Sequence, residues 1–235
     1  MRNHGGLRLT EIKDALGLPV SSVHNMLQTM VAAEMLTVTE DLLYSVGPRA
    51  VGIALSIVAS LDVRVLARRP MQDLAKSIGD DVYLGMSLGK RVFYADRCMG
   101  TQRISLDIRL GESLSLHSTA TGKLFAAFNP DLSAKVLAAP LRKLTSRTIT
   151  DAQALATEYK RIRGRGYAKS QEEAVEGIVG YAVPIREAAG NVAAAIHVSV
   201  IGGRATPVHE NQLIAQAQHC ARLVERSLGH SQASH

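Results

Sequence analysis

The stretch Gly17–Leu36, GLPVSSVHNMLQTMVAAEML, governs how the rest of the chain is read. On a helical projection Val20, Val23, Leu27, Met30 and Val31 fall at i, i+3, i+7, i+10 and i+11 and form one apolar stripe. Ser21, His24, Asn25 and Gln28 fall at i, i+3, i+4 and i+7 and form a second stripe of short, uncharged hydrogen-bonding side chains. A face that only meets water usually carries Lys and Glu, whereas one that reaches base edges in a DNA major groove carries Ser, Asn, Gln, His or Arg. On the N-terminal side, Leu9–Leu16 reads as a short helix with Thr10 as its N-cap and Leu9, Ile12, Ala15 and Leu16 as its apolar side. Gly17 ends it and Leu18-Pro19 opens the next, which is the order of a helix-turn-helix. On the C-terminal side, Leu36–Thr39, a polar Glu40-Asp41 turn and Leu43–Val46 read as a small hairpin, a wing. The candidate DNA contacts are Thr10, Ser21, Ser22, His24, Asn25 and Gln28. The plainer alternative is a helical hairpin and ribbon built into a larger core.

At 235 residues the chain can bury one large core or a small one and a medium one. Its 46% hydrophobic and 20% charged residues are those of an ordinary globular protein. No apolar run approaches the roughly 20 residues that span a bilayer; Ala50–Leu61 is too short and contains Gly52 and Ser56. No charged segment followed by an apolar one opens the chain, and no membrane partner is expected. Cys98 and Cys220 lie far apart without metal-site spacing, so both are expected as free thiols in a reducing cytoplasm. The eight histidines include no i, i+4 pair, and neither a metal nor a cofactor is implied.

The net charge of +6 is unevenly distributed. Residues 1–60 hold four basic side chains against five acidic ones, and the excess lies in residues 61–165. Phosphate neutralisation normally supplies much of the affinity for DNA. Helix N-termini, Ser, Thr and Asn contacts to phosphate, and dimerisation would have to compensate here.

Beyond the wing, Gly47-Pro48 starts a helix over Arg49–Leu61 that is apolar on most faces and so must be covered on most faces, by its own wing and by a second subunit. Val65–Ile78 reads as an amphipathic helix. Strands follow at residues 81–87, 91–98 and 103–108, with Leu88-Gly89-Lys90 as a hairpin turn. A helix is expected over residues 118–128, stopped by Asn129-Pro130, and another from Thr150, with Gln153 completing a capping box and Leu155, Tyr159 and Ile162 facing inward. Strands return at 167–170, 178–185 and 191–200, and a last helix runs from Thr206-Pro207 to Gly229. Helices set between strands of this kind make an α+β domain around an antiparallel sheet.

Four segments resemble the IclR family of bacterial transcriptional regulators: LTEIKDALGLPVSSVHNML (residues 9–27), YSVGPR (44–49), GESLSLHSTATGKLFAAF (111–128) and RGRGYAKSQEEAVEGIVGYAVPIREAAGNVAAAIHVSV (163–200). The resemblance implies an α+β chain with a winged helix-turn-helix over residues 1–47, a dimerising linker helix over 48–62, and a GAF-like domain over 63–235. It implies a homodimer or homotetramer without catalytic activity, bound to double-stranded operator DNA and controlled by a small-molecule effector. Two features depart from the family. Its first helix would precede Leu9, where only MRNHGGLR stands; either the start lies upstream or the product is truncated and binds DNA weakly. Val20 and Asn25 stand where the family usually has a basic residue and an Arg, so the operator does not carry over.

The resemblance assigns Arg103 and Leu106 to one wall of an effector pocket, Ser170, Ile178 and Gly180 to another, His197 and Ser199 to the strand beneath, and Ala120 and Thr121 to its edge. Period-two geometry sends residues 197 and 199 to one face of a strand, where they are either pocket groups or surface ones. Arg103 either clamps a carboxylate or pairs with Asp107. HSTATGK is no phosphate loop, since His117 stands at the earlier Gly position and Leu124 follows Lys123. The free amides at the start of that helix suit an effector carboxylate instead. Lys160, Arg161, Arg163 and Arg165 complement the end of a helix dipole, and Glu172, Glu173 and Glu176 read as a solvated loop. An enzyme using Ser118 or Ser199 with a His is the rival class, but no GxSxG elbow is present. A sensor whose N-terminus serves only dimerisation is the third.

Overall fold

The computed structural model describes residues 6–59, 62–102, 108–204 and 206–228, and divides into two compact units, 1–62 and 63–235. In the first, α1 (Leu9–Leu16) and α2 (Val20–Ala32) pack on a three-stranded antiparallel sheet of β1 (Leu7–Arg8), β2 (Leu36–Val38) and β3 (Leu43–Val46), in the order β1-β3-β2. Val23 and Leu27 from α2 and Tyr44 from β3 are its buried centre, with Leu9, Ile12, Val31 and Leu36 against them. Gly17 ends α1 in the left-handed conformation, φ 65°, its amide bonding the Lys13 carbonyl.

Several expectations need correcting. Thr10 lies inside α1 and is not its N-cap; Arg8 takes that position, and its amide donates to the Glu11 carboxylate at 2.7 Å. Leu7–Arg8 was not expected as a strand, being too short for any periodicity to register. Val20 is about half exposed (51%), as is Leu16 (50%), so only the middle of the expected stripe is core.

The helix α3 (Pro48–Ala59) begins at a tight corner. Gly47 donates to the Met35 carbonyl and Arg49 to that of Glu34, and a Cβ on Gly47 would overlap the backbone of Glu34 and Leu36. Val51 and Ile53 stay about half exposed, so the wing does not cover that face of α3.

The second unit holds α4 (Asp62–Ile78) and a five-stranded antiparallel sheet of order β5-β4-β8-β7-β6: β4 (Asp81–Leu88), β5 (Arg91–Cys98), β6 (Ala168–Gln171), β7 (Ile178–Arg186) and β8 (Val192–Ile201). Between β5 and β6 come α5 (Ala120–Phe128), α6 (Pro130–Leu137) and α7 (Ala152–Arg165), and α8 (Pro207–Ser227) closes the unit. Register sets Ala195, His197 and Ser199 of β8 on the same face as Gly180 and Ala182 of β7 and Ala168 and Ser170 of β6. That face packs against α5, through a core that includes Leu124, Phe125, Leu155, Tyr159 and Ile162. The alternate residues Tyr181, Ile196 and Val198 are equally buried, so the strands are covered on both sides.

Helix starts again shift slightly. Thr119, not Ser118, caps α5, and Asp151, not Thr150, caps α7, its carboxylate accepting from the Ala154 amide at 2.7 Å. Asn129-Pro130 ends α5 but also opens α6, which was not expected: the Asn129 side chain accepts from the Leu132 amide. The strand expected over 103–108 lies almost wholly outside the described residues. Among the described residues no helix is long and apolar enough to cross a membrane.

Candidate functional site

In the first unit Ser21, Ser22, His24, Asn25 and Gln28 are all exposed on α2, opposite the buried Val23 and Leu27. Thr10 is exposed on α1. Among the described residues the side chains of Asn25, His24 and Gln28 have no hydrogen-bond partner; the Asn25 carbonyl accepts additionally from the Thr29 hydroxyl at 2.9 Å. The arrangement is a helix with one face spent on its own core and the other left as free donors and acceptors.

In the second unit the α5 face of the sheet encloses a cavity of about 270 Å³. It brings together Ala120, Ser170, Ile178, Gly180, His197 and Ser199, with Tyr94, Ile108, Leu114, Thr119, Ala174 and Val175 completing its walls. Thr121 is not among them: its hydroxyl is buried and spent on the Tyr94 phenol at 3.3 Å, so its expected contact with an effector is corrected to a place behind the wall. Arg103 and Leu106 lie outside the described residues. Tyr94, opposite Gly85 on β4, is a wall residue that the sequence does not single out.

The chemistry of the cavity is unusual in being apolar with a few unspent polar atoms. His197 is 4% exposed, its ring 5.1 Å from that of Tyr94 and 5.9 Å from that of Tyr83. Burial pushes its pKa down to about 3, so the imidazole is neutral. Among the described residues neither its Nδ1 nor the Ser199 Oγ, both buried, has a hydrogen-bond partner. Such groups cost stability unless something completes them. Gly180 makes the ring's position possible, because a Cβ there would meet His197 Cε1 at 2.8 Å. At the start of α5 the Thr119 hydroxyl accepts from the Gly122 amide at 3.0 Å and the Thr119 carbonyl from that of Lys123. Among the described residues the amides of Ala120 and Thr121 are left without an acceptor, the usual orphan donors of a first helical turn. Ser170 is already committed, donating to the Ser118 carbonyl at 2.7 Å. None of the described lining residues is charged.

The hydrolase geometry does not assemble. Ser118 donates to Ser115 at 2.7 Å, and Ser115 lies 3.1 Å from His117 Nδ1, while His117 Nε2 faces the Arg142 carbonyl at 2.9 Å. A carbonyl only accepts, so the network assigns the proton to Nε2 and ends in backbone rather than in a carboxylate. Among the described residues Ser199 is bonded to no histidine. Two members of the basic run on α7 are structural, Arg163 donating to the Ala127 carbonyl and Arg165 to Glu158, while Lys160 and Arg161 are exposed. Glu173 is a correction. Far from being solvated it is 6% exposed and paired with Lys123 of α5, Nζ lying 2.6 and 2.8 Å from its two oxygens.

Residues 1–40 match the IclR helix-turn-helix domain, and residues 55–226 match the bacterial transcriptional regulator IclR C-terminal domain. The chain belongs to the IclR family. A probable transcriptional regulator, SauR, of Cupriavidus necator is 31% identical over 205 residues, covering 86% of this chain and 81% of that protein. The crystal structure of the Thermotoga maritima IclR superposes with a TM-score of 0.73 at 27% identity, covering 97% of this chain and 93% of the other. An IclR homologue from Microbacterium hydrocarbonoxydans, complexed with 4-hydroxybenzoate, superposes with a TM-score of 0.83 at 23% identity, covering 98% and 95%. The chain is thus an IclR-family transcriptional regulator, α+β, with an N-terminal helix-turn-helix and the family's C-terminal domain.

Proposed function

We propose that this regulator reads double-stranded operator DNA with the exposed face of α2 and is controlled by a small carboxylate-bearing effector in the cavity of the second unit. The observation that carries the effector half is the set of unspent polar atoms in an otherwise apolar hollow. The free amide of the lining residue Ala120 suits a carboxylate at the positive end of α5. Neutral His197 and Ser199 suit a second polar atom, a hydroxyl or carbonyl oxygen, and the remaining walls suit a compact apolar body. The homologue that holds 4-hydroxybenzoate supports a ligand of this size and class. For the DNA half, Ser21, Ser22, His24, Asn25 and Gln28 contact bases or phosphates and Thr10 contacts phosphate. Residues 48–62 link the two units, and the half-exposed Val51 and Ile53 meet a second copy in a dimer or tetramer. Arg103 and Leu106 complete the effector site.

The test couples two measurements. Fluorescence anisotropy with DNA from upstream of the coding region should give saturable, salt-sensitive, sequence-preferring binding. A thermal-shift screen of small aliphatic and aromatic acids should raise Tm for a subset, and that subset should change operator affinity. Absence of sequence preference rejects the DNA half; acids that bind but leave operator affinity unchanged reject the control.

A further inference from the structure

The buried pair of Lys123 and Glu173 joins two walls of one cavity. Lys123 lies one turn into α5, whose first residues Thr119 and Ala120 line it. Glu173 immediately precedes Ala174 and Val175, which line it from the connection between β6 and β7. The pair is almost wholly excluded from water, Lys123 being 1% and Glu173 6% exposed. Burial lowers the Lys123 pKa, against the pull of the Glu173 carboxylate. Two charges taken out of water are a poor way to gain stability, since apolar side chains of similar volume do as well or better. What an ion pair supplies and an apolar pair does not is direction.

The surrounding bonds all fix the same short segment. The Thr148 hydroxyl donates to the Glu173 carbonyl at 2.7 Å and the Thr145 hydroxyl to that of Glu172 at 2.8 Å. The Gln171 amide reaches the Glu173 carboxylate at 3.2 Å. Past Glu173 the connection closes on itself, Ile178 donating to the Val175 carbonyl and the Gly177 amide to the Glu172 carboxylate, and its far end is tied down where the Gly202 amide donates to the Gly177 carbonyl at 2.7 Å. Val175 is 54% exposed although it lines the cavity. Ala174 and Val175 are therefore held between two ties, the Lys123–Glu173 pair on one side and the Gly177–Gly202 bond on the other, and only the first reaches α5.

We propose that Lys123 and Glu173 are positioning residues, a latch that holds the Ala174–Val175 wall at a fixed distance from α5 and so sets the width of the effector cavity. This inference rests on the reading of the cavity as the effector site. Opening the latch widens the cavity and weakens capture of a small acid without touching any group that contacts it.

The test uses the full chain carrying Lys123→Met together with Glu173→Leu, which removes both charges while keeping bulk. Three readouts are taken: Tm, backbone hydrogen exchange, and calorimetric affinity for 4-hydroxybenzoate as probe. Expected are a near-unchanged Tm, exchange across residues 172–178 faster by about tenfold while β7 residues 181–185 keep their protection, and affinity lower by about tenfold. Glu173→Gln, which keeps shape and one acceptor but leaves the Lys123 ammonium uncompensated, is the second variant and should speed exchange across 172–178 and weaken affinity at least as much, with a fall in Tm. Unaltered exchange across 172–178 in both variants overturns the latch. So does, in the double variant, a fall in Tm with exchange accelerated throughout α5, β6 and β7, which marks a pair serving stability alone. If the unaltered protein takes up neither 4-hydroxybenzoate nor any related acid, the effector reading fails, while exchange across 172–178 still decides the latch.

Discussion

The two units of this chain use polar residues in opposite ways. In the first, the polar side chains of α2 are outside and unspent, and the core beneath them is small, centred on Val23, Leu27 and Tyr44. In the second, the sheet is covered on both faces, and the informative polar groups, His197, Ser199, Lys123 and Glu173, are inside. A surface built to meet a large charged partner can leave its donors to water until the partner arrives. A site built for a small molecule must shut water out and carry the cost of incomplete hydrogen bonding meanwhile. The contrast explains why sequence periodicity exposes the first site and only partly exposes the second.

Breaking the comparison on the effector side should have the largest effect. Lys123→Ala strands the Glu173 carboxylate in the interior and should destabilise the second unit by about 3–5 kcal/mol, measured by denaturant unfolding. Leu27→Ala should remove about 2–5 kcal/mol from the small core of the first unit; limited proteolysis should then cut within residues 6–59 while residues 63–228 survive. Asn25→Ala or Gln28→Ala should leave Tm unchanged and weaken specific operator binding by about 1–3 kcal/mol in anisotropy titrations. Unchanged sequence preference would remove these two residues from the reading face.

The remaining effect is expected from pH. His197 has its folded pKa lowered to about 3, whereas in the unfolded chain it titrates near 6.5. Between those values the unfolded state binds the extra proton, so this residue's contribution is complete above about 6.5 and is lost as pH falls toward 3, by at most about 1.4 kcal/mol per pH unit. A His197→Phe variant should show a shallower loss of Tm from pH 7 to pH 5 than the unaltered protein. Parallel slopes would mean that the imidazole is reached by water.

What the sequence made legible follows from how local each signal is. The α2 face is written in a dozen consecutive residues with one period, and the alternation of β8 assigns His197 and Ser199 to a common side. Ala120, Ser170, Ile178 and Gly180 rest on the family resemblance, and the register of β6, β7 and β8 brings them to the same hollow. Glu173 was misread because its partner stands fifty positions earlier, and a Glu-Glu-Ala-Val run looks like any wet loop until α5 is laid across the sheet. Thr121, assigned by the resemblance, stands one residue behind the lining Ala120, and a resemblance does not tell which way a buried hydroxyl turns. Thr10 failed as a cap because the Arg8 backbone found the Glu11 carboxylate first.

The corner at Gly47 has a mechanical consequence. Its amide and that of Arg49 tie the start of α3 to the chain just beyond α2, and the absence of a side chain lets the two backbones touch. No slack separates the two rods, so a twist applied to α3 arrives at α2 as torque rather than being dissipated, in the manner of a welded elbow and not a hinge. Any residue larger than glycine at position 47 would pry that weld apart.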